Sequence, residues 1–340
     1  MLRPRDLLFF GIAFFDHLAW ALVINLFPGR TEPRPLRPIT MMVVGNPTID
    51  ELIDHGRVTA KPGGSALFAA CPAAHLGGKV GILGNIGEDY PQAILRRLES
   101  QHIDTGQLNR TAGKSTRFQI TNLNGQRKLR LLAAGYPVAA PRRQTVVEGV
   151  HLGPVFNEVS DSVVKALRNH CKFLSLDIQG FIRTTSGSGI IREAHRNLDE
   201  ILSHCNMVQA SIGEARRQTG CRDPESILDR FLALKADYAI ITMGRHGSWL
   251  GAQSGDMHFV PAFPDREIRD PTGAGDVFAG SWLTTYLSTK DPVWASSVGS
   301  GFASLASRKS GLSKFQISRT ELFRRAAWVY NHVKTSKMSV

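Results

Sequence analysis

Apolar and polar residues change period many times along this chain, and the changes divide it into short elements. Continuous apolar runs at 41–45, 79–83, 148–152, 173–178, 207–210 and 238–242 predict buried strands. Helical spacing predicts helices at 161–169, 190–202 and 224–235, another from Tyr90-Pro91 to about residue 101, and two late ones at 293–307 and 320–332. Alternating residues at 117–121, the dipeptide Asn124-Gly125 and a second strand at 127–131 predict a hairpin that stands away from the main sheet. Strands alternating with helices predict a mostly parallel sheet covered on both faces, with ligands at the carboxyl ends of the strands. Glu158, Asp177, Ser211, Glu214 and Thr242 all fall at or just after those ends.

The stretch Asp270-Pro271-Thr272-Gly273-Ala274-Gly275-Asp276 follows the last of these strands. Beyond it Val277, Phe278, Trp282, Leu283 and Tyr286 keep helical spacing, which predicts a glycine-bearing turn opening a buried helix. Such a turn presents free backbone N–H groups at the positive end of a helix dipole and binds phosphate or another anion. Asp276 falls in the first turn of that helix. Alone, it reads either as an acid that suits any helix start or as a base that takes a proton from a hydroxyl during phosphoryl transfer.

Upstream, Pro62-Gly63-Gly64-Ser65 leads into an Ala-rich segment, and paired glycines at a helix entrance permit close approach by a ligand or a neighbouring strand. Residues 46–50 are read as a loop leaving the first strand, with Asp50 a ligand contact or an Asx-turn residue. Thr242-Met243-Gly244-Arg245-His246-Gly247 predicts a strand and a tight turn before a second strand, with His246 a turn residue. Two nucleotide signatures are excluded. No G-x-G-x-x-G follows the first strand, and Thr111-Ala112-Gly113-Lys114-Ser115 fails as a P-loop because Leu108 replaces the first glycine and a strand follows.

Composition adds little to this picture. The 340 residues suffice for one large α/β domain or two smaller ones. The formal charge is +12, but the basic residues scatter in pairs and triplets without interleaved aromatics, which reads as a solvated surface and not as a nucleic-acid site. Cys71, Cys171, Cys205 and Cys221 form no C-x-x-C pair, which argues against zinc and a disulfide framework and fits a reducing cytoplasm. Residues 1–40 read as an N-terminal extension. Its apolar run at 7–27 has about the length that spans a bilayer, but Asp16, His17 and Asn25 interrupt it. It is a membrane anchor, an amphipathic helix on another surface, or a translated upstream region with the start at Met41 or Met42. We adopt the last, so no membrane partner is expected.

In their order along the chain, Gly63-Gly64, Thr242-x-Gly244-x-x-Gly247 and above all Asp270 to Asp276 resemble the ribokinase/PfkB family of carbohydrate kinases, from about Met41 to the C-terminus. Leu176-Asp177-Ile178-Gln179-Gly180-Phe181-Ile182-Arg183 and the aromatic Phe68 are similar to a divergent branch that includes myo-inositol kinases. The resemblance implies an α/β ribokinase-like three-layer sandwich with a mostly parallel central sheet and a reduced β-lid. The kinase domain would cover 41–340, with lid elements at about 51–62 and 115–135. It implies ATP- and Mg²⁺-dependent phosphorylation of a hydroxyl on a small sugar or cyclitol by a monomer or homodimer. A nucleoside kinase of the same fold and a non-catalytic kinase-like scaffold are the alternatives.

By the same resemblance Asp276 is the catalytic base, and the amides of Gly273, Ala274 and Gly275 are the anion hole. Asp50, Gly63 and Gly64 match acceptor-side positions. Phe68, Glu158 and Arg183 join them as acceptor contacts, Arg183 with a surface ion pair as its alternative. Thr242, Gly244 and Gly247 match nucleotide-side positions. Ser211 and Glu214 fall on the family's Asn-x-x-Glu, where Glu214 would organise Mg²⁺ through water. Asp270 and Thr272 match positions that bind a monovalent cation, K⁺, in some members. The chain departs from the pattern where Ser211, Phe68 and Thr48 replace asparagines, which weakens a specific ribose assignment.

Overall fold

The structure, a computed structural model, describes residues 40–54, 56–123, 126–141 and 146–338. In chain order it begins with β1 (Thr40–Val44), β2 (Thr48–Asp54), β3 (Arg57–Gly63), α1 (Ser65–His75), β4 (Lys79–Gly87), α2 (Gln92–Ser100) and β5 (Ile103–Thr111). It continues through β6 (Thr116–Leu123), β7 (Gln126–Ala133), β8 (Val147–Leu152), α3 (Asp161–Arg168), β9 (Cys171–Asp177), α4 (Gln179–Ile182), β10 (Arg183–Thr185), β11 (Ile191–Glu193) and α5 (Asp199–Leu202). The last part is β12 (Met207–Ser211), α6 (Ile212–Thr219), α7 (Pro224–Leu232), β13 (Tyr238–Thr242), β14 (Ser248–Ala252), β15 (Asp256–Val260), α8 (Ala274–Thr289), α9 (Pro292–Ser307), α10 (Arg319–Asn331) and β16 (Lys334–Lys337).

The main sheet has the order β16-β15-β14-β13-β12-β9-β8-β1-β4-β5. Its strands run parallel from β13 to β5, and β14, β15 and β16 add antiparallel at one edge. The parallel strands are apolar on both faces, as a sheet between two helical layers requires. On one face α1, α8, α9 and α10 bury Phe68, Trp282, Phe302 and Leu322 against Met41 and Val43. On the other, α3 and α7 bury Val164, Leu167, Ile227 and Phe231 against Val44, Leu174 and Val208. The three-layer sandwich follows.

The second sheet is the lid, with the order β3-β2-β6-β7. Its two hairpins join through a parallel pairing of β2 with β6, Thr48 opposite Thr116. The segments expected in the lid, at about 51–62 and 115–135, both lie in this sheet, which also takes in residues 48–50. Residues 48–50, read as loop, are strand here: the chain passes from β1 through Asn46-Pro47 directly into β2. A further correction concerns 190–202, read as a helix. Residues Ile191–Glu193 pair antiparallel with Arg183–Thr185, and only Asp199–Leu202 is helical. Arg130 of the lid bridges to Ile190 beside this ribbon. The expected turn at Asn124-Gly125 and the extension 1–39 lie outside the described residues. Among the described residues no helix is long and apolar enough to cross a membrane.

Candidate active site

The small residues before α8 form a tight turn whose geometry explains them. Gly273 caps α8 with φ +75°, a left-handed conformation that disfavours side chains. A Cβ on Gly273 would also lie 2.3 Å from Cδ2 of Phe68, which sits on α1. The Ala274 N–H donates to the Pro271 carbonyl at 3.1 Å, whereas the N–H groups of Gly273 and Gly275 find no acceptor among the described residues. Of the three amides expected in the anion hole, those of Gly273 and Gly275 are the two left open to a ligand. Asp276 follows in the first helical turn, 9% exposed.

This turn is the partition between two cavities. On one side Thr272, Gly273 and Asp276 face a cavity of about 70 Å³ together with Asp50, Gly64, Phe68 and Arg183, under Phe118 and Ile120 of the lid. On the other side Pro271, Ala274 and Gly275 face a cavity of about 360 Å³ with Thr242, Gly244, Gly247, Phe263 and Ile268. Of the expected acceptor-side residues Asp50, Gly64, Phe68 and Arg183 line the first cavity, and of the expected nucleotide-side residues Thr242, Gly244 and Gly247 line the second.

On the acceptor side, Asp50 Oδ1 accepts from Thr48 Oγ1 at 2.7 Å. Gly63 does not line the cavity. Its role is room, since a Cβ there would lie 2.1 Å from Asp50 Oδ2. Gly64, at φ +95°, lets the chain turn from β3 into α1. Arg183 Nη1 donates to the Val155 carbonyl at 2.9 Å and Nη2 to Gln179 Oε1 at 2.6 Å, with the guanidinium 6.0 Å from the Phe118 ring centre. Its two hydrogen-bond acceptors are neutral, and Glu193, opposite it on β11, feels its charge.

Glu158 is a correction. Its Oε1 accepts from the amides of Asn46 (3.1 Å) and Val155 (2.8 Å), and its Oε2 from that of Phe156 (2.7 Å). Burial raises its pKa, although these bonds to the carboxylate work against the rise. Glu158 clasps two loops behind the cavity and is not an acceptor contact.

Ser211 and Glu214 form a capping box at the start of α6. Glu214 Oε2 accepts from the Ser211 amide at 2.8 Å, and Ser211 Oγ accepts from the Glu214 amide at 3.3 Å. The hydroxyl of Ser211 is thus committed to its own helix and lines neither cavity, contrary to its expected role at the nucleotide. Asp177, at the end of β9, carries more of the site than its strand-end position implied. Burial pushes its carboxyl up to about 8, and the carboxylates of Glu214 and Asp276 push the same way. Gln209 Nε2 donates both to Asp177 Oδ2 at 2.9 Å and to the Gly275 carbonyl at 3.0 Å, tying β9 and β12 to the turn. Its Oε1 is buried without a hydrogen-bond partner among the described residues. The sign of Gln209 in the sequence was a polar residue inside an apolar strand. Among the described residues no three acidic, histidine or cysteine side chains converge closely enough to hold a metal directly.

Asp270 and Thr272, the expected K⁺ positions, hold a side chain instead. Lys314, from the 3₁₀ turn Gly311–Phe315, donates from Nζ to the carbonyls of Asp270 (2.5 Å) and Thr272 (2.8 Å) and lies 3.3 Å from Asp270 Oδ2. Its ammonium is also 6.0 Å from the Phe68 ring centre.

Residues 39–318 match the family described as pfkB family carbohydrate kinase. A cytidine kinase of Thermococcus kodakarensis is 28% identical over 256 residues, 73% of this chain and 88% of the relative. An inositol 3-kinase of Oryza sativa subsp. japonica is 26% identical over 294 residues, 81% of this chain and 70% of the relative. Among solved structures, a pyrophosphate-dependent kinase of the ribokinase family, in complex with a pyrophosphate analogue and myo-inositol, superposes with a TM-score of 0.69 at 18% identity, over 83% of this chain and 98% of that one.

Proposed function

Because this chain belongs to the pfkB family of carbohydrate kinases, we propose that it transfers the γ-phosphoryl group of ATP to a hydroxyl of a cyclitol or sugar across the Gly273–Asp276 turn. The observation that carries this reading is the partition: one turn faces both cavities, with Asp276 on the acceptor side and the Gly275 backbone on the donor side. A hydroxyl beside Asp276 can give up its proton as its oxygen attacks, while the Gly273 and Gly275 amides meet the charge that gathers on the transferred group. Phosphoryl transfer asks chiefly for this kind of positioning and charge stabilisation.

ATP is favoured over pyrophosphate as donor by the larger cavity. Phe263, Ile268 and Ala303 give it an apolar wall that suits a nucleotide base and that pyrophosphate would leave without a partner. Asp177, Glu214 and Asp276, whose carboxylates lie near one another, would hold Mg²⁺. It would supply charge neutralisation on the donor phosphates. The small acceptor cavity favours a single-ring polyol, with Asp50 and Arg183 as its polar contacts. A nucleoside acceptor is the second reading, supported by the apolar lid residues Phe118, Ile120 and Leu129, which sugar hydroxyls would not use. The free cysteines support a reducing compartment, the cytoplasm.

The test is a coupled ADP-release screen across pentoses, hexoses, inositols and nucleosides, with phosphate release from pyrophosphate run in parallel. Turnover with an inositol or sugar and ATP is expected. A protein that binds ATP yet phosphorylates nothing in the screen would support a non-catalytic scaffold and overturn the reading.

A further inference from the structure

Lys314 is a lysine buried to 1% exposure in a chain whose other basic residues mostly face solvent. Burying an ammonium costs several kcal/mol unless charge and hydrogen bonds replace its water. Here Asp270 supplies the charge and the carbonyls of Asp270 and Thr272 supply oxygens on both sides of Pro271. Burial pushes the Asp270 carboxyl up, but the Lys314 charge and the bonds from Thr272 outweigh it and hold the group below its usual range. Two backbone carbonyls and a carboxylate gathered around one positive point form a coordination shell for a monovalent cation, and an ammonium has about the size of K⁺.

We propose that Lys314 is a tethered monovalent cation beneath the anion-hole turn, and that it makes this kinase independent of K⁺. The mechanism is geometric. In a trans peptide the C=O and N–H point in opposite directions. Fixing the Thr272 carbonyl on Nζ therefore fixes the Gly273 N–H on the other side of the peptide plane, towards the acceptor cavity. The Asp270 carboxylate reinforces this, since its Oδ1 accepts from the Thr272 amide at 3.0 Å. The Phe68 ring, 5.9 Å from that of Phe315, faces the ammonium at 6.0 Å and adds a cation–π contact. A free cation at the same oxygens would sit against Nζ, so K⁺ and Lys314 exclude one another. Lys314 touches neither substrate; it is a positioning residue, and the inference rests on the kinase reading above for its effect on turnover.

The experiment compares K⁺ with tetramethylammonium, which is too large for the shell, at constant ionic strength. Wild-type protein is expected to show the same turnover and the same melting temperature in both salts. Lys314→Met keeps the stem and removes the charge. It is expected to lose roughly tenfold or more in kcat in tetramethylammonium chloride, with the acceptor KM moved far less. Addition of K⁺ or NH₄⁺ should then restore turnover and raise its melting temperature. A merely structural lysine would give neither the cation rescue nor the kcat-against-KM split.

Wild-type turnover or melting temperature that climbs with K⁺ would overturn the proposal. So would a Lys314→Met protein as active as wild type without K⁺, or one that K⁺ and NH₄⁺ fail to rescue. Should Lys314→Met not fold, the wild-type comparison decides alone. The melting arm needs no acceptor, so an inert protein would sink the kinase reading while the melting temperatures still decide the role of Lys314.

Discussion

A methyl group placed on Gly273 probes the contact between the anion-hole turn and α1. Two separate costs are expected in Gly273→Ala. The left-handed φ of +75° carries about 1–2 kcal/mol for a residue with a Cβ. The new Cβ would stand 2.3 Å from Phe68 Cδ2, so the ring must retreat by more than an ångström from a site where it is 5% exposed and already packed against Phe315. Overpacking of this kind costs about 1–3 kcal/mol. Together the substitution should destabilise the fold by about 2–5 kcal/mol. The two costs separate in a double-mutant cycle with Phe68→Ala, measured by urea unfolding. Phe68→Ala alone should cost about 3–5 kcal/mol as a large-to-small core change, but it removes the ring that the methyl strikes. In that background Gly273→Ala should retain only its backbone cost, leaving a coupling energy of about 1–3 kcal/mol. Equal costs of Gly273→Ala in both backgrounds would refute the idea that Phe68 shapes the turn.

The remaining predictions concern chemistry and titration. Asp276→Asn should bind ATP with near wild-type affinity in calorimetry while kcat falls by about 10²–10⁴-fold; undiminished turnover would remove it as the base. Arg183→Ala should raise the acceptor KM by roughly 10-fold or more with a smaller change in kcat, and an unchanged KM would place the guanidinium outside the acceptor site. For Asp177, the folded carboxyl titrates at about 8, against about 4 in an unfolded chain. Between these values the native state holds a proton that the unfolded state has lost, so this group makes stability fall as pH rises from about 4 to about 8. Asp177→Asn should flatten that fall in urea midpoints taken at pH 5 and pH 8, and a variant as steep as wild type would contradict the buried-acid assignment.

The motif from Asp270 to Asp276 and the Gly63-Gly64 pair were legible because positive φ and close neighbours constrain the backbone locally, and small residues in sequence are the direct sign of it. The parallel sheet was legible for a similar reason: strands apolar on both faces read as continuous runs. What stayed hidden was set by distant partners. Lys314 sits in a short 3₁₀ turn with no local mark, and only the fold brings it under Pro271. Residues 190–202 carry enough apolar side chains to read as a helix, yet pairing with Arg183–Thr185 takes their first part into a ribbon. The strand at 48–50 was read as loop because β2 pairs with β6 across a long span of sequence, and no pattern inside residues 48–54 announces that partner. Glu158 and Ser211 were misread because a carboxylate or hydroxyl at a strand end looks the same whether it serves a ligand or its own backbone.

The passage from β3 into α1 has a consequence for how such a kinase can change. The β2–β3 hairpin ends at Gly63, and the Phe68 amide bonds back to the Gly64 carbonyl at 3.1 Å in the first turn of α1, so one turn of helix joins the lid to the ring beneath Gly273. Under the proposed function, a shift of the lid is expected to displace this ring and the turn it touches. Any coupling of the proposed acceptor and donor sites through that corner is reciprocal. Lid substitutions that admit a new acceptor will alter ATP affinity as well, and a graft that exchanges the lid without its matching aromatic at residue 68 will carry over the recognition while losing the rate.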